Sequence, residues 1–280
     1  MVRIITDSAA DFEPAELERL GITCIPLRVM FGDRDYQENI DLDKDGFYQL
    51  LTETGQLPKT SQAVPEVLAD LFAQAKAAGD EAIYFTLSSA LSGTWQTACL
   101  IRDEADWPGA FVVDSRNATG GQRMLLEQAV YLRDQGCNAA QIVEMVEALR
   151  PRIVLYACIN TLEYLYKGGR ISHTTYTLGT LAQIKPIIHV DHAGRVDIPA
   201  KAMGMKKGME HLCRQTERIA VDERFPLYVM YTDDRSVAET LAMRLAEHGV
   251  AVHQDHIIQV GAAIGAHIGP KACGLVYVGK

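Results

Sequence analysis

Short apolar runs alternate with segments of helical spacing through the first 158 residues of this 280-residue chain. Residues 2–6, 83–87 and 110–113 have the length and composition of buried strands, and a segment with helical spacing follows each of them. Parallel strands need a long crossover connection, which a helix commonly supplies. The alternation therefore predicts an α/β fold whose N-terminal sheet is mainly parallel, with helices on both faces.

After residue 158 the sequence predicts a different arrangement of strands and helices. Residues 186–190 and 195–200 flank an Asp-His-Ala-Gly turn and predict an antiparallel hairpin, while further strands and helices follow up to residue 280. We predict an α/β (Rossmann-like) domain over residues 1–160 and an α+β domain with a mixed or antiparallel sheet over residues 161–280. Residues 153–157 are expected to be a strand of the first domain, residues 22–31 a single strand, and residues 57–65 an extended loop.

Composition excludes several classes of protein. A net charge of −9 and a pI of about 5.4 argue against a general nucleic-acid or anionic-membrane surface. Six cysteines lack any C-x-x-C spacing, which favours reduced, buried thiols over disulfides or a structural metal. The chain has neither a signal pattern at its start nor an apolar run of the ~20 residues that a transmembrane helix needs. We therefore expect a cytoplasmic protein without a transmembrane segment.

A hydroxyl-rich turn follows the apolar run at residues 83–87. It contains Ser88, Ser89, Ser92 and Thr94, and Gly93 stands just before a predicted helix. Unpaired N–H groups at a helix start favour an anion or a polar oxygen, so this turn is suited to a carboxylate or phosphate. The same residues could simply cap the helix. Thr60 and Ser61, on the predicted loop, carry the same two interpretations.

The sequence can be searched for the residues that hydrolysis, nucleotide binding and metal binding require. A hydrolase could use Ser92 with His267 and Asp114, but the G-x-S-x-G elbow is missing. Neither glycine-rich nucleotide motif occurs, so no means of holding ATP or NAD is recognisable. His189 and His192 have a spacing that places them on opposite faces of a strand, which does not suit a shared metal. We expect no cofactor and no metal.

The remaining polar candidates are donors without a nucleophile–base pair. Such a set favours binding over turnover, although a stand-alone hydrolase and a regulatory protein that binds a small anion stay open as alternatives. The candidates are Thr60, Ser61, Ser92 and the Gly93 amide from the first half, and Arg170 and His267 from the second.

Eight short motifs, each weak alone, together resemble the DegV family in order and approximate spacing over essentially the whole chain. They are Thr6-Asp-Ser8, Phe31-Gly-Asp33 before Tyr36, Lys59-Thr-Ser-Gln62, Leu87-Ser-Ser-Ala-Leu-Ser-Gly-Thr94, Asp114-Ser115, Tyr164-Leu-Tyr-Lys-Gly-Gly-Arg-Ile-Ser172, Lys185-Pro-Ile187 and His267-Ile-Gly-Pro270.

The resemblance implies a protein that binds one long-chain fatty acid between two domains. Some bacterial members of the family are the non-catalytic, lipid-binding subunit of a fatty acid kinase, and they present the carboxyl group to a separate ATP-binding subunit that makes acyl phosphate. A transient contact with a membrane is compatible with this role. Carried over by motif position, the carboxylate-binding residues would be Thr60, Ser61, Ser92, Gly93 and His267, with Arg170 in the supporting polar network.

Overall fold

The computed structural model describes residues 1–177 and 183–280, and the strands in these ranges form three sheets. In chain order the strands are β1 Val2–Asp7, β2 Ile22–Ile25, β3 Arg28–Phe31, β4 Arg34–Gln37, β5 Lys59–Ser61, β6 Glu81–Thr86, β7 Ala110–Asp114, β8 Ile153–Cys158, β9 Ile184–Val190, β10 Val196–Met203, β11 Tyr228–Tyr231, β12 Ile257–Gln259 and β13 Cys273–Val278. The helices are α1 Pro14–Leu20, α2 Lys44–Thr54, α3 Pro65–Ala78, α4 Thr94–Ala105, α5 Gly120–Asp134, α6 Ala139–Leu149, α7 Glu163–Lys167, α8 His173–Thr177, α9 Met205–Arg218, α10 Arg235–Glu247 and α11 Ala262–Ile268.

The first sheet has the strand order β2-β1-β6-β7, and every pair in it is parallel. Its strands are apolar along their length because helices cover both faces. Phe72 of α3 packs with Tyr84 of β6 on one face, and Leu126 of α5 packs with Ile83 of β6 on the other. The predicted α/β fold with a parallel N-terminal sheet is confirmed.

The second sheet has the order β10-β9-β8-β13-β11-β12 and is antiparallel except for the parallel pair β11–β12. The predicted hairpin is present as β9 and β10. Leu212 of α9 and Leu241 of α10 pack on this sheet against Leu275 of β13. The mixed sheet that the sequence predicts for the second half is therefore also confirmed.

Helix α5 lies in the core between the two large sheets. Its buried Leu125 and Leu126 belong to one apolar cluster with Ile83 of the first sheet and Val276 of the second. Because this helix packs on both sheets, the two halves of the sequence share a core.

Three local predictions need correction. Strand β8 pairs with β13 and β9 of the second sheet rather than with the N-terminal sheet, because an apolar run does not specify its partner. Residues 22–31 form two strands in different sheets, since Pro26 between them has no N–H for the ladder. Thr60 lies in strand β5, paired with Val29, and not in a loop. The domain boundary at residue 160 stays a prediction.

No helix within residues 1–177 or 183–280 combines the length and apolar character that crossing a bilayer requires.

Candidate functional site

A cavity of about 380 Å³ lies between elements of both halves of the sequence. Its wall includes Leu27 and Leu87 from the first half of the sequence. Later parts of the chain supply Leu155, Ile188 and Val260. Most of its wall is aliphatic. The cavity is therefore suited to an apolar ligand, because burial of apolar surface is the main favourable contribution to such binding.

All six residues that the sequence nominates line this one cavity. They come from four separate places in the chain, which the fold brings together: Thr60 and Ser61, Ser92 and Gly93, Arg170, and His267.

Thr60 and His267 form a hydrogen bond across the cavity. Strand β5 carries Thr60 and the last turn of α11 carries His267, and Thr60 Oγ1 lies 2.9 Å from His267 Nε2. The other ring nitrogen, Nδ1, is buried with no hydrogen-bond partner in the part of the chain that the structure describes. Burial, and to a smaller extent the charge of Arg170, lower the pKa of His267 to about 4. The imidazole is therefore neutral at pH 7 in this state.

Ser92 and Gly93 stand at the start of α4. Ser92 Oγ accepts a hydrogen bond from Thr94 N at 3.3 Å and lies 2.8 Å from Thr94 Oγ1. A Cβ atom at Gly93 would overlap the side-chain amide of Gln62. Ser92 thus accepts a hydrogen bond from the first N–H of α4 and lines the cavity as well, so the two interpretations of this turn are compatible.

Arg170 connects two parts of the chain. Its Nε donates to the Leu91 carbonyl at 3.0 Å, and its Nη1 donates to the Gly168 carbonyl. Burial lowers the pKa of Arg170. Within residues 1–177 and 183–280, no carboxylate forms an ion pair with this guanidinium. A half-buried cation without a counter-ion favours an anionic ligand nearby.

The hydrolase alternative gains no support from the geometry. Ser92 is paired with Thr94, His267 is paired with Thr60, and Asp114 accepts from the backbone N and the hydroxyl of Ser89 at 3.1 and 2.6 Å. The three nominated residues therefore have other partners in this structure and do not form a triad.

Sequence reasoning missed several residues of the cavity. Gln62 lines it beside Gly93, and its place in the Lys59-Thr-Ser-Gln62 motif was the available signal. Thr119 and Met230 also line it, and Thr119 Oγ1 lies 3.4 Å from Met230 Sδ. These two residues are 111 positions apart, and no spacing in the sequence indicates that they meet.

No cluster of three or more His, Cys, Asp or Glu side chains suited to a metal occurs among the described residues. His189, one of the spaced histidines, stacks on Tyr156 with ring centroids 4.4 Å apart and faces Asp197. The ring is therefore engaged in packing on the second sheet.

Fold and site together define an α/β protein with two large sheets and an aliphatic cavity whose polar residues are mostly neutral donors. The chain belongs to the DegV family: the family model described as an uncharacterised protein of the DegV family matches residues 1–280. It is 31% identical to a DegV domain-containing protein from Caldanaerobacter subterraneus, over 100% of this chain and 99% of that protein. A second relative, from Clostridium perfringens, is 32% identical over 99% of this chain and 97% of its own length.

Solved structures are similar over the same length. A stearic-acid-binding protein from Eubacterium ventriosum matches with a TM-score of 0.89 and 25% identity, covering 100% of this chain and 99% of that one. A fatty-acid-binding DegV family protein from Thermus thermophilus matches with a TM-score of 0.88 and 28% identity over the same shares of the two chains. DegV from Bacillus subtilis, a fatty-acid-binding protein, matches with a TM-score of 0.86 and 27% identity, covering 100% and 99%.

Proposed function

We propose that this chain binds one long-chain fatty acid in the cavity between its two halves. The observation that carries the proposal is the aliphatic wall together with Thr60, Ser61, Ser92, Gly93 and His267 as donors for the carboxylate. Arg170 adds a positive charge to the same polar network. Two relatives of at least 27% identity that are described as fatty-acid-binding proteins support the same ligand class.

The energetics favour an acyl chain as the ligand. Burying about sixteen carbons at ~0.8 kcal/mol per methylene gives on the order of 10 kcal/mol before the costs of association. A carboxylate that loses its water must still receive hydrogen bonds, and hydroxyls, helix-start amides and an imidazole can supply them. The tail thus sets the affinity, and the polar residues set the orientation.

We further propose that the protein is the non-catalytic subunit of a fatty acid kinase and presents the bound carboxyl group to an ATP-binding partner. Arg170 lines the cavity and also a surface cleft that includes Ser89, Ser172 and Arg195. The carboxyl end of the ligand would therefore lie next to a polar surface that a partner can approach. Because that reaction uses ATP, and the six cysteines are free thiols, we place the protein in the cytoplasm.

Native mass spectrometry of the purified protein tests the ligand class. We expect a co-purified fatty acid, or one fatty acid per chain after a delipidated sample is incubated with palmitate. A protein that stays empty and hydrolyses a generic ester would overturn the proposal.

The partner role has a separate test. When ATP and the kinase subunit of the same organism are added to the palmitate-loaded protein, we expect the bound palmitate to be converted to acyl phosphate. The chain alone should make none.

A further inference from the structure

Two buried carboxylates of the N-terminal half fix the start of α11, the helix that carries His267. Gly261 N donates to Asp11 Oδ1 at 2.9 Å, and Ala263 N donates to Glu38 Oε1 at 3.0 Å. Both acids are at most 2% exposed. Backbone N–H groups at a helix start have no partner within the helix, and a negative charge there is favourable. The helix is thereby attached to residues more than 200 positions earlier in the chain.

Close packing keeps α11 in this place. A Cβ atom at Gly261 would overlap the Glu38 carboxylate, and a Cβ at Gly265 would lie 2.6 Å from the hydroxyl oxygen of Tyr48. The Tyr48 hydroxyl also donates to the Val260 carbonyl at 2.9 Å. At these two glycines the backbone of the helix therefore contacts buried side chains of the N-terminal half directly.

The second oxygen of Glu38 is linked through Ser8 to another residue of the cavity wall, Leu27. Ser8 Oγ donates to Glu38 Oε2 at 2.5 Å and accepts from Leu27 N at 2.9 Å. Leu27 and Ala263 both line the cavity and pack in one apolar cluster. One carboxylate thus connects a wall residue from the first half to a wall residue from the second.

Other charged groups surround this carboxylate. Lys44 is buried and donates to the Asp11 carbonyl at 2.9 Å and to Glu13 at 2.6 Å. The charges of Asp11 and Lys44 both act on Glu38. Cys24 and Tyr48 are ionisable groups that lie close enough to Glu38 to be affected by its charge. Because Lys44 forms its hydrogen bonds to other groups, the hydrogen bonds of the Glu38 side chain are those with Ala263 and Ser8.

We propose that Glu38 is a positioning residue for the fatty-acid site, which holds α11 so that His267 reaches Thr60 and the two walls keep their spacing. The inference rests on the proposed function, since the site it positions is the fatty-acid site. Glu38 itself does not line the cavity, and it acts through Ala263, Ser8 and Leu27.

The test compares Glu38→Gln with Asp222→Asn. Glutamine keeps the shape of Glu38 but removes its negative charge, so Ala263 N then donates to a neutral oxygen and the bond to Ser8 has to reverse, with the amide N–H₂ donating to Ser8 Oγ. Asp222 is also a buried carboxylate, but it bonds Arg152 and Arg224, and these three residues do not line the cavity. Each variant is measured for the ¹⁵N shifts of the His267 ring without ligand, for palmitate affinity and for melting temperature.

We expect Glu38→Gln to shift the His267 ring signals and to lower palmitate affinity about tenfold, the size of one weakened charge-assisted hydrogen bond. Asp222→Asn should lower the melting temperature and leave ring signals and affinity unchanged. Unchanged ring signals in Glu38→Gln, or equal shifts in both variants, would overturn the inference. If Glu38→Gln does not fold, Ser8→Ala decides, because it removes the link to Leu27 and should shift the same signals. The ring signals need no ligand, so failure of wild-type protein to bind palmitate is a separate outcome that contradicts only the proposed function.

Discussion

Thr60 and His267 lie in different halves of the sequence, and their side chains bond to each other in the polar part of the cavity. A hydroxyl both donates and accepts, so Thr60 can accept this 2.9 Å bond from His267 Nε2 and donate its own proton to a ligand carboxylate. We predict that Thr60→Val weakens palmitate binding by roughly 1.5–3 kcal/mol, the value of one bond to a charged acceptor, and that Ser92→Ala has a similar effect.

A competition assay with a fluorescent fatty acid measures this change. Thr52→Val is the matched control, because the Thr52 hydroxyl bonds the Tyr48 carbonyl within α2 and does not line the cavity. Unchanged affinity in Thr60→Val and Ser92→Ala, with circular dichroism showing an intact fold, would remove both residues from the site.

The titration of His267 is a second prediction at this scale. Burial and then the charge of Arg170 lower its pKa to about 4 in the ligand-free protein. We expect NMR to show a ring titration midpoint well below the ordinary value of 6.5, and Arg170→Ala should raise that midpoint because one of the two causes is removed. A wild-type midpoint at or above 6.5 would show that the ring is exposed or has a negative partner.

The resemblance of short motifs indicated the six site residues, but their contacts could not be predicted from the sequence. Thr60 and His267 are 207 positions apart, and no periodicity states that their side chains bond. Glu38 was not recognised at all, because an acidic residue in the polar segment between β4 and α2 is typical of an exposed turn. Only the fold shows that it is buried against the start of α11.

Among the elements, α11 depends on buried acids whose ionisation changes with pH. Burial, and next the charge of Asp11, raise the pKa of Glu38 from its ordinary value of 4.5 to about 7. The folded state therefore binds this proton more tightly than the unfolded state does. Between about pH 4.5 and pH 7 the contribution of Glu38 to the free energy of unfolding falls as pH rises. His267 has the opposite sign, because its lowered pKa costs stability as pH falls below 6.5.

We therefore predict the difference between variants rather than the whole curve. As pH rises through this window, the melting temperature of the wild type should fall relative to that of Glu38→Gln, which cannot titrate at this position. Asp222→Asn should show a constant offset from the wild type, because its arginine partners hold the pKa of Asp222 well below the window. A wild-type melting temperature that rises relative to Glu38→Gln would contradict the assigned ionisation.

For the whole molecule, Arg170 joins the Leu91 carbonyl of the first half to the Gly168 carbonyl that follows. We predict that Arg170→Ala lowers the melting temperature by a few degrees, since buried hydrogen bonds to a charged donor are lost. Palmitate affinity and acyl phosphate formation with the kinase partner are measured on the same sample. Loss of turnover with binding and melting temperature unchanged would instead assign Arg170 to the transfer step.

The architecture of the whole molecule was predictable where the apolar residues within one element show whether that element is a buried strand or a helix. Apolar strands followed by helices specify the parallel sheet, and the turn at residues 191–194 specifies the β9–β10 hairpin. The partner of β8 was not predictable, because a strand that is apolar on both faces fits either sheet equally well. The cavity was not predictable either. Its walls come from segments that are far apart in the sequence and are neighbours only in the fold, where both sheets pack on α5.

We propose that the cavity accepts an acyl chain with its carboxylate at Thr60, Ser92 and His267. The decisive experiment is isothermal titration of the delipidated protein with palmitate and with hexadecanol, which has the same chain length but no charge. We expect one palmitate bound per chain and hexadecanol bound at least about tenfold more weakly, because the alcohol offers the donors no anion. Equal affinity for the two ligands, or no binding of either, would contradict it.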